Sequence, residues 1–468
     1  MSPPPPASGW SDGLSVELLL LILAELACMA DLTSFSAVCQ RWREAAKLAL
    51  AQQKRPLPTQ IPWLLLPPSS PSTTPSIFSF LSGVRRGIRS FPADFARERL
   101  IGSHPGGWVA AALGPFGPHL LANVFSGVRV SLPHRLYHAS FSTVTPVMVR
   151  AIVLSAGPTA TAAHCVSGAI VSGTSNLAFC RPGIDSYWYA HGDVDVAIQD
   201  MVYYAGEAMK GFHVLTDLGE VQVMTFNVTH VPGRQPFFKT VAKRYMMDRP
   251  PNSVLTGLPM PTFRTGYLVE SRGKLLMVLR YYTRDVQNRT RRTVLFRVYE
   301  MQVKALGIYR QPVASWTELD GLDGRVLFVG RGCSRAFEAS QIQGFNGGSI
   351  YYLDDAEFDA KPPLQNGGQY HCTDMGMYSM SGTTTVRPGE APTDDPNMSP
   401  TAIYGAKTYL SWVYEKTNDG KATKKAFVEM TLEDEAKHRG SENKIIGTRW
   451  SILSEPQSKF SPAIWLSP

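Results

Sequence analysis

The sequence predicts a multidomain protein of the α+β class, in which a small N-terminal helical unit precedes an all-β domain. Two observations support this prediction. The Leu-rich stretch Leu14–Arg43 has apolar residues at the three- and four-residue spacings of helices. From about Ile77 onward, short runs of Val, Tyr, Phe and Ile alternate with Gly, Asp and Pro turns, which is typical of β-hairpins. The chain has 468 residues, enough for both domains.

Changes in composition divide the chain into six segments. These are a Pro-rich, disordered N-terminus at 1–10, the helical unit at 11–54, a Pro-rich linker at 55–76, the β domain at 77–375, a polar insertion at 376–443, and C-terminal strands at 444–468 that close the β domain. Seven prolines between Arg55 and Pro75 exclude a helix there and indicate a semi-rigid linker.

Charge and cysteine content narrow the classes of function. The formal net charge of +8 is spread along the chain, whereas a nucleic-acid surface needs basic residues clustered on one face. None of the six cysteines forms a CxxC pair, which indicates a reducing compartment. Glu25 interrupts the Leu-rich run, which is too short for a signal peptide or a membrane span. We therefore expect a protein of the cytoplasm or nucleus that binds neither nucleic acid nor membrane.

The helical unit carries more apolar surface than its own core requires. A first helix over Val16–Ala27 has two apolar stripes, and Asp31 is placed to cap a second helix. The stripes are Leu18, Leu21 and Ile22, and Leu19, Leu23 and Leu26; the second helix carries Leu32, Phe35, Val38, Cys39 and Trp42. One stripe fills the core, so the spare stripe indicates a partner protein. The alternative is that it packs on the β domain.

These residues resemble the F-box family. The matching positions are Leu14-Ser15, Glu17-Leu18, Ile22-Leu23, Leu26, Asp31-Leu32, Val38-Cys39 and Trp42-Arg43. Ser15 stands where the family usually has Pro, a residue that suits the first turn of a helix without being required there. The resemblance implies docking to a Skp-type adaptor, and through it to a cullin, by Leu14, Ser15, Leu18, Leu19, Ile22, Leu23, Leu32, Val38 and Trp42.

The β region predicts a closed architecture, because about 300 residues of hairpins in an open sheet would expose long edges. A β-propeller of six or seven blades accommodates this length. Hairpins are predicted at Gly211–Met224, Tyr267–Tyr282 and Ser315–Val329. The run Ile464–Leu466 is suited to close the ring by pairing with Trp63–Leu66.

The order of motifs in the β region is similar to that of plant (grass) F-box proteins with a C-terminal domain of unknown function, of the DUF295 type and kelch-like. The motifs are Gly107-Trp108, Asn123, Gly127, Leu132-Pro133, Asp200–Tyr204, Tyr267–Glu270, Trp316, Leu319, Leu327–Gly330, Asn346–Tyr351, Trp465 and Pro468. The resemblance covers roughly Pro92 to Asp374 and the final residues. The insertion at 376–443 has no counterpart in it.

No constellation of residues predicts catalysis, a cofactor or a metal site. Asp193, Asp195 and Asp200 are interpreted as acids of surface turns, although paired carboxylates also serve glycoside hydrolysis. His164-Cys165 and His371-Cys372 lack a metal-ligand spacing. Gly330–Ser334 is interpreted as a tight turn, and Cys333 has no base partner in the sequence.

We therefore expect a non-catalytic subunit of an SCF-type (Skp–cullin–F-box) ubiquitin ligase, in which the F-box docks the adaptor and the β domain binds a target protein whose identity stays open. One alternative is a β-propeller interaction scaffold outside any ligase, with a degenerate F-box. A third hypothesis is a propeller enzyme, which would lose turnover when Asp193 or Asp195 is changed.

Overall fold

A computed structural model describes most of the chain before residue 381 and short strands after it. The described residues are 13–26, 29–51, 59–68, 74–79, 84–88, 91, 95, 98–114, 116–139, 141–158, 165–172, 176–191, 197–206, 210–229, 237–244, 246–247, 262–285, 290–306, 312–342, 345, 347–355, 358, 374–380, 409–416, 422–430, 444–446 and 464–467. Within these ranges, no helix has the length and apolarity needed to cross a membrane. The predicted disordered segment 1–10 lies outside them.

Among the described residues of the N-terminal unit, the structure has the helices α1 (Val16–Glu25), α2 (Met29–Ser36) and α3 (Gln40–Ala51). The predicted continuous helix through Leu32 and Trp42 is wrong, because the chain leaves the helical path after Ser36 and a third helix follows. There, two backbone hydrogen bonds of the 3₁₀ type, between residues three apart, close the last turn. They run from Ala37 N to Ser34 O and from Val38 N to Phe35 O, both at 3.2 Å. Asp31 lies inside the first turn of α2 instead of capping it.

The three helices share a core of their own. Leu19, Leu23, Phe35, Ala45 and Ala46 are buried in it, and the rings of Phe35 and Trp42 lie 4.5 Å apart. Leu14, Leu20, Leu26, Leu32, Trp42 and Ala49 pack at its edge. No described residue of the β region belongs to this core. The helices therefore form a compact unit whose packing does not depend on the β domain.

Six sheets form the blades of a β-propeller. Blade 1 contains Val84–Gly87, Ser76–Ser79, Trp63–Leu66 and Ile464–Leu466, in that order across the sheet. Blade 2 contains Arg99–His104, Trp108–Ala112, His119–Asn123 and Arg129–Leu132. Blade 3 contains Met148–Leu154, Ser167–Ser172, Leu177–Cys180 and Trp188–His191, extended outward by Arg135–His138 and Thr143–Pro146.

The other three blades follow in chain order. Blade 4 contains Ile198–Tyr204, Gly211–Thr216, Val221–Thr229 and Phe237–Arg244. Blade 5 contains Thr262–Ser271, Lys274–Asp285, Thr290–Leu306, Pro312–Leu319 and Met246–Met247. Blade 6 contains Arg335–Glu338, Arg325–Val329, Ser349–Tyr352 and Gly376–Ser379. In each of blades 2 to 6, the strand given first above lies on the inside of the ring. In blade 1, Ile464–Leu466 has this position.

Apolar cores lie between neighbouring blades all around the ring. Strands are therefore covered on both faces, and Trp108–Ala112 and Arg325–Val329 are buried along their whole length. Between blades 1 and 6, Trp465 is fully buried with its ring 5.2 Å from that of Phe328. Its Nε1 donates to Val329 O at 3.0 Å.

The ring closes through strands from two distant parts of the chain. Trp63 pairs with Leu466 and Leu65 with Ile464, antiparallel, so the predicted pairing is present. Trp63–Leu66 lies inside the segment 55–76 that the sequence indicates as a linker. Prolines flank this strand without interrupting it, which leaves its backbone groups available for pairing.

Of the three predicted hairpins, two are confirmed and one is wrong. Gly211–Met224 and Tyr267–Tyr282 form antiparallel hairpins. Within Ser315–Val329, the two strands belong to different blades, so the turn between them connects blade 5 to blade 6. A separate three-stranded sheet contains Tyr409–Lys416 and Ala422–Met430 of the predicted polar insertion. Its third strand, Lys444–Ile446, begins the segment 444–468 that was predicted to close the β domain.

Candidate functional site

An exposed apolar stripe runs along α1, formed by Leu18, Leu21 and Ile22; we call it the α1 stripe. The exposed fractions of these residues are 48%, 63% and 37%. Their spacing of three and four places them on one face of the helix. Val38, in the turn after α2, is also 53% exposed. Full burial of an exposed side chain of this size contributes about 1.5–3 kcal/mol, so these partly buried residues would each contribute less against a partner.

Local sequence explains why α1 begins where it does. Ser15 has extended backbone angles and its Oγ accepts a hydrogen bond from Leu18 N at 3.3 Å, so it is the N-cap of α1. The backbone and Ser15 hydrogen bonds of Glu17 hold the pKa of its carboxyl below the ordinary value. Ser15 thus performs the helix-starting role that the family resemblance assigns to Pro.

The nine residues predicted to contact an adaptor fall into four groups. Leu18, Ile22 and Val38 are exposed. Leu19 and Leu23 are buried in the core of the helical unit, whereas Leu14, Leu32 and Trp42 lie at its edge and Ser15 caps α1. Leu21 is the most exposed of the Leu residues in α1 and is absent from the predicted contacts, although the stripe spacing marks it.

The helical unit contacts the propeller through polar side chains. Arg86, on the outer strand of blade 1, forms an ion pair with Asp31 and donates a second hydrogen bond to Ser34. The side chains of Arg86 and Asp31 are 27% and 25% exposed. The α1 stripe stays exposed beside this contact, which argues against the alternative that the stripe packs on the β domain.

Asp200 is not the surface acid that the sequence suggests. It is 1% exposed, at the inner strand of blade 4. Its Oδ2 accepts from Leu268 N of blade 5 at 2.9 Å, and its Oδ1 accepts from Gly332 N of blade 6 at 3.0 Å. Burial raises the pKa of the carboxyl to about 6, against the lowering effect of these hydrogen bonds. Asp200 therefore joins three blades.

Other residues considered for catalysis or metal binding provide no assembled site in the described part of the chain. Asp193, Asp195, His164, His371 and Cys372 lie outside it. Burial raises the pKa of Cys333 to about 12, so its sulfur is a thiol at neutral pH. Cys333 N donates to Gly330 O at 3.0 Å in the predicted tight turn. Within the described ranges, no three His, Cys, Asp or Glu residues are grouped to hold a metal ion.

Comparison with known proteins bears on the propeller. A family model described as KIB1-4 beta-propeller matches residues 79–379, which is more than half of the chain. No functionally curated protein is significantly similar to the sequence. The match covers blades 2 to 6 and the strand Val84–Gly87 of blade 1, and it leaves the three helices outside.

Proposed function

Because this chain belongs to the KIB1-4 β-propeller family, we propose that its propeller binds a target protein while its helical unit, an F-box, docks a Skp-type adaptor. The chain is then the substrate-recognition subunit of an SCF-type ubiquitin ligase, acting in the cytoplasm or nucleus. It contributes no bond-making residue. Its part of the mechanism is to hold target lysines near the conjugating enzyme, which raises their effective concentration.

The observation that carries this proposal is the exposed α1 stripe on a helical unit with a complete core. Leu19 and Leu23 already fill the inner face of α1, with exposed fractions of 0% and 8%. The outward residues Leu18, Leu21 and Ile22 lie outside that core and keep much of their apolar surface exposed. Contiguous exposed apolar residues of this kind mark protein interaction sites.

The test is binding of the purified full-length chain to a Skp-type adaptor, measured by calorimetry and by pull-down. The double variant Leu18→Asp/Ile22→Asp should abolish binding, because charged groups cannot be desolvated in an apolar interface. Leu218→Asp is the matched control, since Leu218 is 56% exposed in a turn of blade 4. Undetectable adaptor binding by the unmodified chain, or equal binding by the double variant, contradicts the proposal.

The alternative is an interaction scaffold outside any ligase, which the family match favours because it covers the propeller and not the helices. The two functions predict different results for co-purification with a cullin. A ligase subunit co-purifies from cells with both the adaptor and a cullin, and the α1 double variant loses both. A scaffold binds the adaptor weakly or not at all and leaves the cullin behind.

A further inference from the structure

Three nitrogen-bearing side chains of blades 2 and 6 lie close together on the inner side of the ring. His104 and Trp108 pair directly across the first two strands of blade 2, so their side chains extend from the same face of the sheet. Arg335 begins the inner strand of blade 6. Burial, and after it the charge of Arg335, lower the pKa of His104 to about 4, so these two side chains are near neighbours. We call His104, Trp108 and Arg335 the donor cluster.

The nitrogens of the donor cluster have unused hydrogen-bonding capacity. Nε of Arg335 is buried without a hydrogen-bond partner, and the guanidinium donates only from Nη1, to Ser334 O at 2.7 Å. Among the residues that the structure describes, none forms a hydrogen bond with the ring nitrogens of His104 or with Nε1 of Trp108. Trp108 is nevertheless only 8% exposed. Donors withdrawn from water without an acceptor are costly, so a ligand that brings acceptors is favoured here.

The charge of Arg335 also lacks a counter-charge within the described ranges. Glu338, on the same strand, pairs instead with Arg272 at 2.6 Å. Burial lowers the pKa of the Arg335 guanidinium, and the opposing effects of Cys333 and Glu270 do not cancel this lowering. Glu270 is exposed and forms no ion pair with a described residue. A partly buried cation without a paired carboxylate attracts an anionic group from outside the chain.

A narrow cleft between blades 2 and 3 leads to the donor cluster. His104 and Trp108 line one side of this cleft, and Ile152 and Leu154 of blade 3 line the other. Gly157 lies at its edge, where an added Cβ would be 3.9 Å from Trp108 Nε1. The absence of a side chain at Gly157 thus leaves the indole nitrogen accessible. A cleft of this kind admits a single side chain and excludes a folded segment.

An exposed aromatic ring lies beside the cleft. Phe125, in the turn between the third and fourth strands of blade 2, is 49% exposed. Its ring covers Gly107, the residue before Trp108, so closely that a Cβ at Gly107 would overlap it. Asn123 fixes the turn, because its Oδ1 accepts from Phe125 N at 3.0 Å and from Ser126 N at 2.9 Å. A preorganised apolar contact therefore stands next to the unpaired donors, as in the centres of many protein interfaces.

We propose that the donor cluster binds the carboxylate of an Asp or Glu side chain on a protein partner, while a neighbouring apolar residue of that partner packs on Phe125. The carboxylate supplies the negative charge that Arg335 lacks and acceptors for Trp108 and for the neutral ring of His104. The inference rests on the proposed function only in that this partner is the target of the propeller. The donor cluster is separate from the α1 stripe, so binding at each is measured independently.

The experiment selects short peptides displayed on phage against the immobilised full-length protein, with the Arg335→Gln variant as competitor in solution. Peptides with Asp or Glu beside Leu, Ile or Phe should be enriched. The best peptide is then synthesised and its affinity measured by fluorescence anisotropy. The same peptide with its acid replaced by the amide, Gln or Asn, is the matched control ligand and should bind at least about tenfold more weakly, because a charge-assisted contact is lost.

Variants connect this binding to the donor cluster. Arg335→Gln should weaken the acidic peptide about tenfold, whereas Glu270→Gln should tighten it at least about twofold by removing a like charge. Arg135→Gln changes an exposed arginine on the outer part of blade 3 and should have no effect. If Arg335→Gln lowers the midpoint of thermal unfolding, Gly157→Val replaces it: the added side chain covers Trp108 Nε1, and weaker binding is still expected.

The apolar contact has its own pair of variants. Phe125→Ala should weaken the peptide about threefold or more, and Phe116→Ala, which removes a ring 53% exposed in another turn of blade 2, should not. No enrichment of acidic peptides, equal binding of the amide peptide, or weaker binding in the Glu270→Gln variant overturns the inference. A chain that binds no adaptor but still selects acidic peptides contradicts only the proposed function, and the reverse result contradicts only this inference.

Discussion

Arg280 and Asp374 form an ion pair that is closed to solvent. Arg280 Nη2 donates to Asp374 Oδ2 at 2.7 Å, and the two side chains are 1% and 0% exposed. Arg280 also donates to Leu353 O at 2.7 Å and to Thr293 Oγ1 at 2.7 Å. Its guanidinium lies 4.6 Å from the ring centre of Tyr352. One side chain of blade 5 thus organises the backbone of blade 6.

Removal of one partner of this pair should destabilise the propeller strongly. Arg280→Met leaves Asp374 buried without its cation, so we expect a loss of about 3–5 kcal/mol in the free energy of unfolding. The measurement is chemical denaturation followed by tryptophan fluorescence. Arg297→Met is the control, since its pair with Glu318 is half exposed and should contribute less than about 1 kcal/mol.

The double variant Arg280→Met/Asp374→Leu separates charge from packing. Because it leaves no unpaired carboxylate at 374, it should be more stable than Arg280→Met by at least about 1 kcal/mol. Asp355 keeps Arg291 and Arg331 as partners in both variants. A double variant no more stable than the single one would show that the pair's charges are not the source of the effect.

The N-cap of α1 is expected to stabilise the helix that carries the α1 stripe. Ser15→Ala removes the acceptor for Leu18 N and should cost about 1 kcal/mol of helix stability. Ser15→Asp keeps an acceptor and should retain the stability of the original protein. Hydrogen exchange at the amide of Leu18 reports the change directly. Equal protection of that amide in all three proteins would contradict the capping role.

Asp200 should make stability depend on pH. Its pKa rises from an ordinary 3.8 to about 6 in the folded protein, so the folded state binds more protons between those values. Its contribution is therefore present below about pH 4, is lost as the pH rises to about 6, and is constant above that. The loss is on the order of 2–3 kcal/mol.

The comparison with Asp200→Asn isolates this titration. The variant should gain stability relative to the original protein between pH 4 and about pH 6, and the difference should stay constant up to pH 8. Unfolding by urea, measured at intervals of one pH unit, gives the profile. Asp217→Asn changes an exposed acid in a turn of blade 4 and serves as the control for loss of a carboxylate. A flat difference for Asp200→Asn would exclude a raised pKa at this site.

Closure of the ring should depend on Trp465. Trp465→Ala leaves a cavity between blades 1 and 6 and removes the hydrogen bond to Val329 O, so a loss of about 3–5 kcal/mol is expected. Phe141→Ala is the matched control, because Phe141 is 69% exposed and should change stability by less than about 0.5 kcal/mol. Calorimetric unfolding measures the stability of both variants. A similar loss of stability in the two would show that Trp465 has no particular role in closing the ring.

The local parts of the fold were accessible from the sequence. The turns Asp217–Gly219 and Ser271–Gly273 each connect strands that pair with each other, so composition alone located two hairpins. The turn at Gly321–Gly324 is also made of Gly and Asp, but it connects blade 5 to blade 6. Turn chemistry specifies a reversal of the chain but not which strand receives the hydrogen bonds, so the third hairpin was assigned wrongly.

The buried polar contacts were not accessible from the sequence, because they join distant parts of the chain. Asp200 is close in sequence to the acids Asp193 and Asp195, and nothing local marks it as buried. Its carboxylate accepts hydrogen bonds from the distant backbone amides of Leu268 and Gly332. Likewise, Arg99 and Arg150 contact Phe358 only after four blades have packed. The α1 stripe was accessible, since helical spacing is a local property. Which of its residues face outward required the second and third helices.

The pairing of Trp63–Leu66 with Ile464–Leu466 has a consequence for synthesis of the protein. The propeller cannot complete blade 1 until the ribosome has made about 400 further residues, which takes on the order of tens of seconds. The helical unit packs on its own and leaves the ribosome first. Under the proposed function, an adaptor would capture the nascent chain by the α1 stripe while the ring is still open.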